Sequence, residues 1–193
     1  MVRFVQVIPM TTVNNNKNRV WQMVFSALFL ALAYVLPFLT GQIPEIGSML
    51  CPMHIPVLLC GFVCGWKWGL AVGLMAPITR SLILIMPPLF PTAVCMALEL
   101  ATYGAVAGLM YRRLPRRKIN LWISLLTAMV IGRIVWGGAM FLCVGLSGGT
   151  FALSAFVAGA FTNAIPGIIL QIVAIPLILM LIERLRQGRK VTE

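Results

Sequence analysis

Residues 69–104 read GLAVGLMAPITRSLILIMPPLFPTAVCMALELATYG. Two apolar segments flank the proline-rich stretch Met86–Pro91, which predicts two helices folded back on each other. The first segment carries Arg80 and the second carries Glu99, in runs that are otherwise suited to lipid. A charged side chain at bilayer depth is costly, so it almost always faces a partner, a cavity or a ligand. These two charges mark the first candidate site.

The composition is that of a membrane protein. Of the 193 residues, 61% are hydrophobic and 10% are charged, which departs from the mix of a soluble domain. The formal charge of +11 is also typical of nucleic-acid binders, but the basic residues cluster between the apolar runs, where they act as topology signals. The sequence therefore predicts an all-α membrane protein without a nucleic-acid partner.

Apolar runs and turn residues predict six transmembrane helices in a compact bundle within the lipid bilayer. Their approximate bounds are 21–40, 53–66, 68–86, 92–111, 120–143 and 151–183. We expect an N-terminal tail at 1–19, a transmembrane substrate-binding domain at 20–184 and a C-terminal tail at 185–193.

The basic residues predict the orientation. Of the 15 Lys and Arg residues, all but Arg80 and Arg133 lie in the two tails, at Lys67 or in the 112–118 run. Six spans put all these places on one side, and the loops of the other side carry only Glu45. By the positive-inside rule both termini are cytoplasmic.

Three intramembrane charges are expected at a common depth. At a rise of about 1.5 Å per residue, Arg80 lies about 18 Å and Arg133 about 20 Å outward from the inner ends of their spans. Glu99 lies about 10 Å inward from the outer end of its own span. In a hydrocarbon core of about 30 Å, all three fall in the outer half, which predicts one shared site.

Further polar and aromatic side chains lie on the same helix faces or at a similar height. The candidate substrate-binding residues are Arg80, Glu99, Tyr103, Arg133, Trp136, Asn163 and His54. A structural alternative stays open, in which Arg80 and Glu99 simply pair and lock the bundle, leaving Arg133 without a partner. Trp136 is equally suited to an outer aromatic belt.

Small residues recur at four-residue spacing. Ala27 and Ala31 lie one turn apart on the first span, and a longer glycine series follows on the second, third and fourth spans. The glycines are Gly61, Gly65, Gly69, Gly73, Gly104 and Gly108. Such faces let helices approach closely, either within the bundle or against another membrane subunit.

Enzymatic motifs are absent from the sequence. It contains no HExxH, no GxSxG and no phosphate-binding loop, so we expect neither an enzyme nor an ATPase. The five cysteines form no CxxC pair and only one histidine is present, so we expect no metal site and no cofactor.

The layout resembles that of the substrate-binding S component of an energy-coupling factor (ECF) vitamin transporter. The resemblance rests on six spans in 193 residues, on Ala27-x-x-x-Ala31, and on Cys51–Phe62 followed by Gly65 and Gly69. It implies a bacterial plasma-membrane protein that captures a vitamin or precursor from outside. It also implies three partner subunits, a membrane coupling subunit facing Ala27 and Ala31 and two cytoplasmic ATPases.

The charges favour a carboxylate ligand. Arg80, Arg133 and Glu99 sum to one positive charge when all are ionised, and arginine offers a planar fork suited to a carboxylate. Pantothenate is the first candidate, with nicotinate or a folate next. If Arg80 and Glu99 pair, a heterocycle such as a pyrimidine, pyridoxine or a deazapurine becomes the better candidate. A stand-alone carrier, an integral-membrane enzyme and an assembly protein are the other classes weighed.

The topology can be tested by labelling single cysteines with a membrane-impermeant maleimide, in a variant lacking the native cysteines. We expect labelling from outside within 41–51 and 147–150, and from inside at Arg116 and Arg189. The opposite labelling of any of these positions would overturn the six-span arrangement.

Overall fold

A computed structural model describes residues 15–39, 52–85, 87–115, 118–146 and 165–189. These residues form six α-helices and no strand. The helices are α1 (Asn15–Leu39), α2 (His54–Cys64), α3 (Trp66–Leu84), α4 (Val94–Arg113), α5 (Lys118–Leu146) and α6 (Ile165–Arg189). The all-α class is thereby confirmed for the described part of the chain.

Four stretches are long and apolar enough to cross a membrane. They are Arg19–Phe38, Leu89–Arg113, Ile119–Gly145 and Ile165–Ile182. The helix α2 is a shorter apolar helix of 11 residues. The membrane class is thus confirmed, whereas the count of six spans and the cytoplasmic side of both termini stay predictions.

The turn expected between Arg80 and Glu99 is present. The helix α3 ends at Leu84, and Ile85 adopts a left-handed conformation with φ 60°. The hydroxyl of Ser81 donates a hydrogen bond of 2.6 Å to the carbonyl oxygen of Pro87. A short kinked segment, Leu89–Ala93, in which Phe90 is extended, then leads into α4. The prolines lack a backbone N–H, so they cannot continue α3.

The helix α2 occupies the centre of the bundle. All of its residues except Val63 are buried, and it packs against α1, α3, α4 and α6. Gly65, at φ +97°, ends α2 and directly precedes α3. Such a φ suits glycine because it has no Cβ. One glycine thus joins two helices without an intervening loop.

Glycine faces hold α2, α3 and α4 at close range. A Cβ atom at Gly61 would lie 2.5 Å from the carbonyl oxygen of Gly104, and one at Gly69 would lie 2.7 Å from that oxygen. A Cβ at Gly108 would lie 2.6 Å from the carbonyl oxygen of Gly61. The glycine series therefore serves packing within the bundle, which is one of the two alternatives left open by the sequence.

The helix α1 runs parallel to α3. The indole N–H of Trp68 donates to the side-chain oxygen of Gln22 at 3.2 Å. Farther along both helices, the hydroxyl of Tyr34 contacts that of Thr79. These two polar pairs fix the height of α1 against α3, which matters for Arg80 below.

Replacing Gly104 with alanine should destabilise the protein, because the new methyl group would overlap the backbone of Gly69. Overpacking of this kind costs about 1–3 kcal/mol, so the melting temperature in detergent should fall. Gly138→Ala is the matched control, because its Cβ would meet nothing within 4 Å. Equal melting of the two variants would contradict the close packing of α3 and α4.

Candidate functional site

Four polar side chains from three helices meet inside the bundle. The hydroxyl of Tyr103 donates a hydrogen bond of 2.9 Å to Oε1 of Glu99. Nη1 of Arg133 lies 3.1 Å from the same oxygen, and Nε2 of His54 lies 3.6 Å from it. We call His54, Glu99, Tyr103 and Arg133 the Glu99 cluster.

The Glu99 cluster is almost completely buried. The exposed fractions are 1% for His54, 1% for Glu99, 0% for Tyr103 and 8% for Arg133. Burying an ion pair carries a large desolvation penalty, which attraction offsets only when further hydrogen bonds satisfy the charges. The phenol of Tyr103 supplies one such bond to Glu99. Such a cluster also provides hydrogen-bond donors and acceptors shielded from water.

Each member of the Glu99 cluster is positioned by its place along a helix. Tyr103 follows Glu99 by one helical turn on α4, so the two side chains share a face, as the sequence predicts. His54 is the first residue of α2, and the N-terminal end of a helix carries partial positive charge that favours a nearby carboxylate. Arg133 enters from α5.

Gly132 is part of the site although the sequence did not single it out. A Cβ atom at Gly132 would overlap the ring carbons of Tyr103. The glycine therefore lets the phenol ring lie against α5, next to Arg133. A glycine directly preceding an intramembrane arginine was the available signal.

The imidazole of His54 has unused hydrogen-bonding capacity. Neither ring nitrogen has a hydrogen-bond partner among the described residues, and both are buried. The distance of 3.6 Å from Nε2 to Glu99 exceeds that of a hydrogen bond. The ring also lies 5.3 Å from that of Tyr103, between centroids. A ligand can therefore bond to His54 without displacing a hydrogen bond of that side chain.

Arg80 lies apart from the Glu99 cluster. Its Nη1 donates a hydrogen bond of 3.2 Å to the carbonyl oxygen of Tyr34. Its guanidinium carbon lies 5.7 Å from the centroid of the Phe38 ring. The carboxylate of Glu99 pairs with Arg133 instead, so the alternative in which Arg80 and Glu99 pair is wrong.

The register of α3 against α4 gives the height of Arg80. Gly69 lies against Gly104, and Gly73 lies against Leu100, so the antiparallel helices place Arg80 beside residues 93–94. That level is about 8 Å from Glu99, at a rise of about 1.5 Å per residue, toward the predicted outer side. Glu99 and Arg133 meet at one depth, as the sequence predicts. Arg80 does not share that depth, so this part of the prediction is wrong. The sequence gives the depth of a residue only from the ends of its own span, whereas the glycine contacts give the register of α3 against α4 directly.

The remaining candidates are distributed as follows. Trp136 is half-buried, one turn beyond Arg133 on α5. Ala27 and Ala31 are exposed on α1. Asn163 lies outside the described residues. Among those residues, no group of three or more His, Cys, Asp or Glu side chains is arranged to hold a metal ion.

Gln171 on α6 is a further polar residue inside the bundle. Its side chain is only 1% exposed. Its Oε1 has no hydrogen-bond partner among the described residues. It is therefore a second buried polar group with unused hydrogen-bonding capacity.

Removing Glu99 alone should be strongly destabilising. Glu99→Gln would leave the charge of Arg133 buried and uncompensated, which costs about 3–5 kcal/mol. The double variant Glu99→Gln/Arg133→Gln removes that charge as well and should recover a large part of the lost stability. Thermal unfolding of the purified, ligand-free proteins measures the stability of the single and the double variant.

Arg113→Gln is the control, because Arg113 is exposed at the end of α4, and it should change stability by no more than about 0.5 kcal/mol. If the double variant melts as low as Glu99→Gln alone, the ion pair does not hold the cluster together.

Comparison with known proteins gives one match. A profile of the family described as ECF transporter, substrate-specific component, matches residues 21–179. Searches of curated proteins and of solved structures gave no significant match. The matched region begins within α1 and ends within α6, so it includes every member of the Glu99 cluster.

Proposed function

The chain belongs to the family of ECF transporter substrate-specific components, and we propose that it captures a small water-soluble vitamin or precursor from the extracellular side. Components of this family are transporter subunits and work with an ECF module, which contains a membrane coupling subunit and ATPases. The membrane in question would be the bacterial plasma membrane. The observation that carries the proposal is the Glu99 cluster, a buried polar network in a largely apolar bundle.

The Glu99 cluster is suited to bind the polar part of such a solute. His54 offers ring nitrogens that have no hydrogen-bond partner in the described part of the chain, and Glu99 offers a carboxylate held in place by Tyr103 and Arg133. A site on helices from a packed bundle is preorganised, which lowers the entropic cost of binding. Trp136 and Asn163 complete the proposed set of contacts, and the sequence predicts Asn163 in the last span.

Pantothenate is the first candidate substrate, followed by nicotinate or a folate. Glu99 and Arg133 neutralise each other, so the positive charge left for a carboxylate belongs to Arg80. Among the described residues, Arg80 forms no salt bridge.

A neutral heterocycle is the second candidate. The Glu99 cluster carries no net charge when His54 is neutral, and it includes the aromatic ring of Tyr103. A pyrimidine, pyridoxine or a deazapurine could stack on that ring while donating a hydrogen bond to Glu99.

Binding and uptake separate these proposals. Calorimetric titration of the purified chain with a panel of water-soluble vitamins and these heterocycles should yield at least one tight binder. Uptake of that binder into proteoliposomes should require the coupling subunit and both ATPases. Uptake by the chain alone would instead indicate a stand-alone carrier, and a panel without any binder would contradict the proposed capture of a vitamin or precursor.

The face of α1 containing Ala27 and Ala31 is proposed to dock on the coupling subunit. Both alanines are exposed, and small residues one turn apart permit close contact between membrane helices. The other exposed apolar side chains of α1 are suited to contact lipid.

Ala27→Leu/Ala31→Leu should abolish uptake and leave ligand binding by the isolated chain unchanged, because neither residue belongs to the Glu99 cluster. Copurification with a tagged coupling subunit measures assembly directly. Gly138→Leu, an exposed position on α5, controls for added bulk at the membrane-facing surface. Normal assembly of the double alanine variant would show that the interface lies elsewhere.

A further inference from the structure

We propose that Arg80, with Tyr34 and Phe38, forms an anion subsite for the carboxylate of an elongated substrate whose uncharged polar end lies in the Glu99 cluster. This inference rests on the proposed capture of a solute, and it assigns that solute to a chemical class. The class is a monocarboxylate with hydroxyl or amide groups at its opposite end.

The positive charge of Arg80 has no acidic partner among the described residues. Arg80 is only 6% exposed, and the contacts described above join it to a carbonyl oxygen and an aromatic ring. Both groups are formally neutral. Neither salt bridge among the described residues includes Arg80, because both join Glu99 to other side chains. A buried arginine whose charge no described acidic side chain compensates is expensive in a membrane, so an anionic group of the ligand would complete the site.

Arg133 differs from Arg80 because it forms a salt bridge. Arg133 lies 3.1 Å from Glu99, so its charge is already compensated. A carboxylate placed there would compete with Glu99 and would be repelled by it. The two arginines therefore have different roles, and only Arg80 is suited to a ligand carboxylate.

The distance between Arg80 and the Glu99 cluster also bears on the ligand. Arg80 lies about 8 Å from Glu99 along the packed pair of α3 and α4, at a rise of about 1.5 Å per residue. It lies on the predicted outer side, where a solute would enter. The first residue of α2 is His54, which belongs to the Glu99 cluster. The described part of α2 therefore does not extend beyond the cluster toward the level of Arg80.

That separation selects the shape of the ligand. A compact ring acid such as nicotinate places its carboxylate directly on the ring, too near its polar atom to reach both sites. An extended chain with a carboxylate at one end and hydroxyls at the other, as in pantothenate, can span them. We expect the hydroxyl end to bond to His54 and Glu99, while the carboxylate accepts from Arg80.

The experiment compares pantothenate with pantothenol, in which a hydroxymethyl group replaces the carboxylate, by titration of the full purified chain. A charge-assisted hydrogen bond supports a preference of about 10- to 100-fold for pantothenate. Arg80→Gln should erase the preference, and Arg80→Lys should retain part of it. Arg112→Gln, at the far end of α4, should leave it intact.

Tyr103→Phe tests the other end of the ligand. The phenol hydroxyl orients Glu99, so its loss should weaken pantothenate and pantothenol by the same factor. Unequal weakening would place the carboxylate near the Glu99 cluster and would overturn the inference.

The remaining outcomes are also decisive. Equal affinity of the wild-type chain for both compounds, or a preference that survives in Arg80→Gln, would refute the anion subsite while the proposed capture of a solute stands. Absence of pantothenate binding would refute it too, and a heterocycle bound from the wider panel would then preserve the capture function. If added phosphatidylglycerol displaces pantothenate from the wild type but not from Arg80→Gln, the anion at Arg80 is a lipid phosphate and the inference fails.

Discussion

The ion pair between Glu99 and Arg133 is the constraint on which the site depends. Each charge would be very costly alone inside a lipid-exposed bundle, and together they require α4 and α5 to meet at one height and in one rotation. Tyr103 and His54 then contact the same carboxylate oxygen. The network therefore fixes three helices around one buried polar point.

The glycine faces make this arrangement possible. Membrane helices gain no hydrophobic free energy from association, so their stability depends on close van der Waals contact. Gly61, Gly69 and Gly104 bring the backbones of α2, α3 and α4 together below the Glu99 cluster. Gly132 acts differently, because it admits the ring of Tyr103 rather than another backbone. Packing and site are thus linked through α4, which carries Gly104 as well as Tyr103 and Glu99.

Much of this organisation could be predicted from the sequence. The proline-rich turn, the helical class and the shared face of Glu99 and Tyr103 follow from local chemistry and helical periodicity. The partner of Glu99 could not be predicted, because spacing gives an approximate depth but not which neighbouring helix a side chain faces. The same limit applies to Gly132, whose role depends on a ring from another helix. Spacing along the sequence also places Arg80 at the depth of Glu99. The register of α3 against α4 in the structure shows that the two residues lie at different levels.

In this proposal, a solute binds where the Glu99 cluster and the buried charge of Arg80 face the predicted outer side. An experimental structure of the chain with its tightest panel binder tests this most directly. The account predicts ligand density that spans the two sites, within hydrogen-bond distance of His54 or Glu99 at one end and of Arg80 at the other. Density confined to another part of the bundle, with no ligand contact to the Glu99 cluster, would contradict it.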